Sequence, residues 1–145
     1  FLGDYADYKT FFHGHTYTGH PLGAAAALAV IETLAKEDVL ANVEPCNQLL
    51  REKLREIGKH PNVGRIHLVG MWAGIELVAD RRSRTPFEPG RRVGAEVCRR
   101  ALDHGLLIRP LGDVVIAIPP LNTPPEKVGW MCEVIDRCIG ETLGS

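Results

Sequence analysis

The sequence predicts an α+β fold in which an antiparallel sheet carries helices on one face. Segments with helical spacing and segments with strand alternation follow one another in the order helix, helix, strand, strand, helix, strand, strand, helix. The strands therefore come in consecutive pairs, and only Gly112 and Asp113 separate the second pair, which is typical of a β-hairpin. This order differs from the strand–helix alternation of a doubly wound parallel sheet, and it favours helices packed on one side of an antiparallel layer.

The first two helices are predicted from their starts, ends and apolar spacing. "PLGAAAALAVIETLAKE" begins with Pro21 directly after His20, and proline suits the first position of a helix. Its alanines let another element approach the backbone closely. Asp38 is the predicted cap of the second helix, Pro45 marks a kink or a late start, and Gly58 follows the end. The apolar stripe of this helix is predicted to be Leu40, Val43, Leu50, Leu54 and Ile57.

The rest of the chain supplies the strands and two more helices. "VGRIHLVGMWAGIELVAD" predicts two strands that are interrupted near Gly70. A helix that ends at Gly105 follows, and Thr123 is the predicted cap of the last helix, with Pro124 at its first position. Val93, Val97, Ala101 and Leu102 mark the third helix, and the predicted buried stripe of the fourth is Val128, Met131, Ile135 and Ile139.

Composition limits the classes of function. The chain has 145 residues, 45% of them apolar and 24% charged, which suits a folded domain with its own core. Its formal net charge of −1 gives no general attraction to nucleic acid or to an anionic membrane, and no apolar run approaches the roughly 20 residues of a membrane helix. The first residues lack the basic-then-apolar order of a signal peptide, and the chain does not begin with methionine. We therefore expect a fragment or a processed chain. The four cysteines form no C-x-x-C pair, and we expect buried free thiols in a reducing, cytoplasmic compartment rather than a metal site.

The loop "HGHTYTGH" before the first helix allows three interpretations. His13 and His15 form an H-x-H pair, but no third metal ligand with recognisable spacing follows. Glycine N–H groups and the hydroxyls of Thr16 and Thr18 ahead of a helix are also typical of a phosphate site. Alternatively, the two threonines only make turn hydrogen bonds. The residues alone disfavour the metal and leave the other two interpretations open.

Arginines supply the second candidate site. Arg109 interrupts the apolar strand "LLIRPL", where a desolvated guanidinium needs an anionic partner, and its geometry suits a carboxylate. The alternative is an edge-strand arginine that reaches solvent. The arginine-rich loop "RRSRTPFEPGRR" also contains Glu88 and follows Asp80, so a solvated loop is favoured over a phosphate-binding one.

Two motifs resemble a known family. "HGHTYTGHPLGAAAALA" resembles the loop-and-helix signature of the class III, or ω-, aminotransferases, which use pyridoxal 5′-phosphate on the fold type I scaffold. "GLLIRPLGDVVIAIPPL" resembles the signature of the branch that acts in biotin biosynthesis and aminates 8-amino-7-oxononanoate, with S-adenosylmethionine as the expected donor. "LVGMWAGIELV" also fits small-domain strands of the family. The alternatives are another class III enzyme, acting on ω-amino acids or diamines, or a non-catalytic module that binds anions.

The resemblance implies roles for individual residues. Thr16 matches the threonine that donates to the cofactor phosphate from the partner subunit of a homodimer, and His15 matches a position that lines the same phosphate site. Gly14 matches a glycine at the substrate pocket, and Arg109 matches the arginine that holds the acceptor carboxylate. His20 stands where family members often have asparagine, a departure that affects the detailed hydrogen bonds of the loop and not the class.

The resemblance also implies that the chain is a C-terminal fragment. Residues 1–40 are expected to be the end of the large cofactor-binding domain, and residues 41–145 the C-terminal small domain. The family's Schiff-base lysine lies further upstream of the loop than Phe1, and Lys9 is too close to the loop to be that lysine. We therefore expect no catalytic residue and no turnover in this chain alone.

Overall fold

The computed structural model describes residues 2–9, 11 and 13–144. It divides the chain into two compact units, Phe1–Glu37 and Asp38–Ser145. Assigning residues 1–40 to a large domain and 41–145 to a small domain of a longer enzyme stays a prediction.

The first unit is built around one helix. A short 3-10 helix, Tyr5–Asp7, precedes α1, which spans Pro21–Lys36. His20 is the residue before the helix, and its Nδ1 accepts a hydrogen bond from the Gly23 N–H at 3.1 Å. The predicted start is confirmed, with the histidine ring as the cap. No residue of α1 is buried, so its apolar side chains do not contribute to a core in this chain.

The second unit contains one antiparallel sheet of four strands. The strands are β1 (Val63–Val69), β2 (Trp72–Leu77), β3 (Arg109–Leu111) and β4 (Val114–Ala117), in the spatial order β1-β2-β4-β3. β3 and β4 form the predicted hairpin across Gly112 and Asp113, and Gly112 has a φ of +59°. Such a turn favours glycine because a Cβ atom is strained at positive φ. Because β3 is the last strand in this order, it is an edge strand.

Three helices complete the second unit: α2 (Val43–Ile57), α3 (Val93–Asp103) and α4 (Pro125–Leu143). α4 contacts both α2 and α3, while α2 contacts β1 and α3 contacts β3 and β4. On the sheet, Ala73 pairs with Ala117 and Ile75 pairs with Val115, and all four side chains are buried. The buried helix positions predicted from the spacing are confirmed for Leu50, Leu54, Ile57, Val93, Val97, Ala101, Val128, Met131, Ile135 and Ile139. The predicted α+β layer is therefore observed.

The structure corrects the predicted boundaries of α2. Asp38 has a φ of +47° and makes no capping hydrogen bond; a 3-10 helix, Val39–Asn42, then leads into α2. The late start that Pro45 indicated is thus confirmed. Leu40 is 65% exposed and lies before α2, so placing it in the apolar stripe of that helix was wrong; Leu102 lies in α3 as predicted and is 56% exposed.

The predicted cap of α4 is also wrong. Thr123 caps nothing through its side chain: the flanking residue is Pro124 and the helix begins at Pro125. The cause is the Pro-Pro pair, since a residue before proline is driven out of the helical region. The Thr123 carbonyl instead accepts a hydrogen bond from Nδ2 of Asn42 at 2.8 Å, which ties the start of α4 to the start of α2.

All four cysteines are free and buried, as predicted. Burial raises the pKa of Cys98 and the pKa of Cys132 to about 11, so these thiols stay protonated at neutral pH. Among the described residues, none of the helices combines the length and the apolar character that crossing a membrane requires.

Candidate cofactor and substrate sites

The loop before α1 gives its two threonines different tasks. The Thr18 hydroxyl accepts a hydrogen bond from the His15 N–H at 2.8 Å, and the Thr18 N–H donates to the His15 carbonyl at 3.0 Å. Thr18 therefore uses its side chain to close the turn, as one of the three interpretations predicted.

Thr16 makes no such contact. Its side chain is exposed, and neither its hydroxyl nor its N–H has a hydrogen-bond partner among the described residues. Turn chemistry thus accounts for Thr18 and leaves the Thr16 hydroxyl available to an external group. Sequence spacing could not separate the two, because either threonine can close a turn.

The two histidines of the loop pack on each other. The rings of His13 and His15 meet edge to face with centroids 4.6 Å apart, and the His13 ring also lies 5.1 Å from that of Phe11. Within the described part of the chain, no third ligating group lies close enough to them to complete a metal site.

The loop fits a phosphate group by its donor set. Thr16 offers a hydroxyl and an N–H in the loop that leads into α1, and the N-terminus of a helix favours an anion through its N–H groups and its dipole. In the same unit, the carboxylate of Asp7 is paired with Lys9 at 3.0 Å. A Cβ atom at Gly14 would meet nothing within 4 Å, so no described neighbour requires glycine there.

Arg109 lies on the edge strand β3 and is exposed. Of the two interpretations that the sequence left open, the structure shows the edge-strand arginine that reaches solvent, and an exposed guanidinium carries no desolvation cost that would demand an anionic partner. The strand order, which puts β3 at the edge, is the physical reason. Within residues 38–144, the structure shows no hydrogen bond or ion pair of the Arg109 side chain.

Arg109 borders an apolar cleft of about 610 Å³ that lies between β3, the segment after β4 and α4. The cleft is lined by Leu106, Leu107, Ile108, Arg109, Ile116, Ile118, Pro119, Pro120, Thr123, Lys127, Trp130 and Met131. Only two of these residues, Arg109 and Lys127, are charged, and both are cations. The arrangement suits an apolar chain that ends in an anionic group.

Lys127 and Trp130 are members of this cleft that sequence reasoning missed. The Lys127 ammonium lies 5.6 Å from the centroid of the Trp130 ring, a cation–π contact between residues three apart on α4. Their i, i+3 spacing was visible, but it gave no indication that this face of α4 adjoins the hairpin.

The arginine-rich loop is solvated, as predicted. Its five arginines are exposed, and the Arg91 guanidinium lies 4.7 Å from the centroid of the Phe87 ring. Phe87 is 5% exposed and anchors the loop to the core.

Comparison with known proteins finds relatives that match nearly the whole chain. A family model described as aminotransferase class-III matches residues 3–139. Among curated proteins, the chain is 48% identical over 139 residues to the adenosylmethionine-8-amino-7-oxononanoate aminotransferase of Nitratidesulfovibrio vulgaris, covering 96% of the chain and 26% of that protein. The enzyme of that name from Geobacter sulfurreducens is 40% identical over 144 residues, covering 99% of the chain and 32% of that protein.

Solved structures give the same result. The crystal structure of the adenosylmethionine-8-amino-7-oxononanoate aminotransferase of Methanocaldococcus jannaschii matches with a TM-score of 0.87 and 36% identity. The match covers 99% of this chain and 33% of that chain, so this chain spans about a third of the length of the proteins it resembles.

Proposed function

The chain belongs to the class III aminotransferase family, whose members depend on pyridoxal 5′-phosphate, and from that premise we propose that it is part of an enzyme that transfers an amino group to 8-amino-7-oxononanoate. The product would be 7,8-diaminononanoate, in biotin biosynthesis. The names of the relatives from N. vulgaris and G. sulfurreducens support this assignment. S-Adenosylmethionine as the donor, a homodimer and a cytoplasmic location belong to the same proposal.

The observation that carries the proposal is that Arg109, which has no partner among the described residues, lies at the border of an apolar cleft. The proposed acceptor has an aliphatic chain that ends in a carboxylate, and the cleft offers apolar walls for the chain and a cation for its end. A guanidinium holds a carboxylate through two parallel hydrogen bonds, which fixes direction as well as distance. We assign substrate binding to Arg109, and we place Gly14 at the substrate pocket.

The loop before α1 is the proposed cofactor contact. Thr16 donates its free hydroxyl to the cofactor phosphate, across the dimer interface, and His15 lines the same site. Thr18 holds the turn that presents Thr16. When bound, pyridoxal 5′-phosphate supplies the electron sink for amino-group transfer, and the residues of this chain supply binding and orientation. The lysine that binds the cofactor covalently is proposed to lie in the upstream part of the enzyme.

A comparison of acceptors tests the proposal in the full-length enzyme. Single-turnover amination of 8-amino-7-oxononanoate is measured beside an analogue that lacks the carboxylate and beside pyruvate. We expect the native acceptor to react with the highest kcat/KM and the analogue to lose about 10–100-fold, the worth of one ion-paired contact. Equal rates with the analogue would remove the carboxylate clamp. A preference for pyruvate would favour an ω-amino acid aminotransferase instead.

A further inference from the structure

Three metal-ligating side chains meet at the contact between α3 and α4, within the second unit and outside the sites described above. His104 follows the end of α3, and Cys138 and Glu141 lie on α4. One ligand atom from each lies within 4.8 Å of the others, and among the described residues this is the only such group of three. Nothing in the proposed aminotransferase chemistry uses these residues.

The backbone holds the three groups on rigid elements. Cys138 and Glu141 are three residues apart, so they share one face of α4. His104 is fixed where α3 ends, because its N–H donates to the carbonyl of Ala101 at 3.1 Å. Thr142 donates its hydroxyl to the Cys138 carbonyl at 2.7 Å, which secures the same turn of α4.

The two carboxylate oxygens of Glu141 have different neighbours. Oε1 lies 3.6 Å from Nε2 of His104, whereas Oε2 lies 4.0 Å from Nη1 of Arg100. Carboxylates that ligate a metal are commonly oriented by a second partner in this way. The opposing consideration is the charge of Arg100, which repels a cation, so the site must gain its affinity from the sulfur and the imidazole.

Access and chemistry together select the kind of ion. The Cys138 side chain is fully buried, while the side chains of His104 and Glu141 are 31% and 39% exposed and give a path from solvent. Thiolate sulfur and imidazole nitrogen are ligands of zinc rather than of calcium or magnesium. Zinc holds such atoms at about 2.0–2.3 Å, so the side chains need to close by about an ångström.

We propose that His104, Cys138 and Glu141 bind one zinc ion between α3 and α4. Sulfur binds as the thiolate, and its proton passes to solvent when the ion enters. Three protein ligands leave a fourth position to water, and the ion would tie the end of α3 to α4. Sequence analysis missed the group because its members belong to separate elements without a recognisable spacing.

Titration of the chelator-treated, untagged chain tests the site. Zn²⁺ binding is measured by calorimetry, and Co²⁺ serves as a spectroscopic substitute because cobalt bound to a thiolate shows a near-ultraviolet charge-transfer band. The variants are His104→Gln, Cys138→Ser and Glu141→Gln. Cys132→Ser and His67→Gln are the matched controls, since Cys132 is another buried thiol of α4 and His67 is an exposed imidazole.

We expect one ion per chain. Each ligand variant should weaken zinc binding by at least about tenfold, because loss of a group that only orients a ligand already costs that much. The cobalt band should disappear in Cys138→Ser and persist in both controls. Because Cys138→Ser disturbs the core, His104→Gln and Glu141→Gln decide the question if that variant does not fold. Absence of binding, or binding that the ligand variants leave unchanged, overturns the proposal and leaves His104 and Glu141 as an ordinary polar contact.

Discussion

Replacing Gly94 by alanine should destabilise the second unit more than the same replacement at a glycine with open space around it. Gly94 lies in the first turn of α3, against the turn of the β3–β4 hairpin. A Cβ atom there would stand 2.9 Å from the Asp113 Cα and closer still to the Gly112 carbonyl oxygen. Both neighbours are backbone atoms, so relief requires moving the hairpin rather than rotating a side chain. The Gly94 N–H also donates to Oδ1 of Asp113 at 2.9 Å, a bond that such movement breaks.

The magnitude follows from three opposing contributions. Overpacking of a tight site costs about 1–3 kcal/mol. Loss of the hydrogen bond to Asp113 costs about 0.5–1.5 kcal/mol. Alanine returns about 0.5–1 kcal/mol, because glycine is the poorer helix former. The net expectation is a loss of about 2 kcal/mol in the free energy of unfolding.

Urea unfolding of the chain, followed by far-ultraviolet circular dichroism, measures this loss. The midpoint should fall by about 1 M if the slope is near 2 kcal/mol/M. Gly140→Ala is the matched control: Gly140 lies within α4, its added Cβ would meet nothing within 4 Å, and its φ is not positive. That variant should gain about 0.5–1 kcal/mol. If Gly94→Ala is as stable as Gly140→Ala, the close approach of α3 and the hairpin is not a constraint in solution.

The remaining predictions concern the proposed sites and α1. In the full-length enzyme, Arg109→Ala should raise the KM for 8-amino-7-oxononanoate by about 10–100-fold, and Arg109→Lys should restore it only in part; unchanged acceptor kinetics in a folded variant would refute the clamp. Thr16→Ala should weaken cofactor binding by about 10–100-fold in equilibrium dialysis, more than Thr18→Ala does; equal effects would return Thr16 to a turn role. In the isolated chain, borohydride with pyridoxal 5′-phosphate should label no single lysine selectively, and one specific labelled lysine would contradict the upstream placement of the cofactor-binding lysine. Amides of α1 should exchange hydrogen faster than those of α4, because α1 buries no residue; equal protection in a verified monomer would oppose this.

The sequence predicts best what depends on local periodicity. The predicted apolar stripe of α4 repeats over about three turns, and every predicted position in it is buried. Caps were predicted less well, since Asp38 and Thr123 have the right chemistry but lie where the backbone cannot use it. In the first case the chain enters a 3-10 helix, and in the second the Pro-Pro pair moves the start of α4. The local backbone conformation thus decides whether a suitable side chain can cap a helix.

Site residues depend on strand order, which local pattern does not encode. The strand "LLIRPL" looks the same whether it lies in the middle of a sheet or at its edge, yet only the edge leaves Arg109 exposed beside the cleft. For the same reason, no local pattern distinguishes Lys127 from other lysines, although α4 brings it to that cleft. The role that the resemblance gives to Arg109 stays a prediction, and the structure changes only its physical premise. Exposure, not burial, is what leaves the guanidinium available.

The contact between Gly94 and the hairpin turn links these observations. Arg109 begins a three-residue edge strand that pairs only with β4, so its direction depends on how the hairpin is held. Gly112 lets the turn form, and Asp113 fixes it twice: its side-chain Oδ1 accepts a hydrogen bond from the Gly94 N–H, and its carbonyl accepts one from the Leu77 N–H, each at 2.9 Å. The turn is thereby tied to α3 on one side and to β2 on the other. A substitution at Gly94 should consequently alter acceptor binding as well as stability, although Gly94 does not line the cleft. If Gly94→Ala lowered stability without changing the KM for the acceptor, the hairpin would not be what positions Arg109.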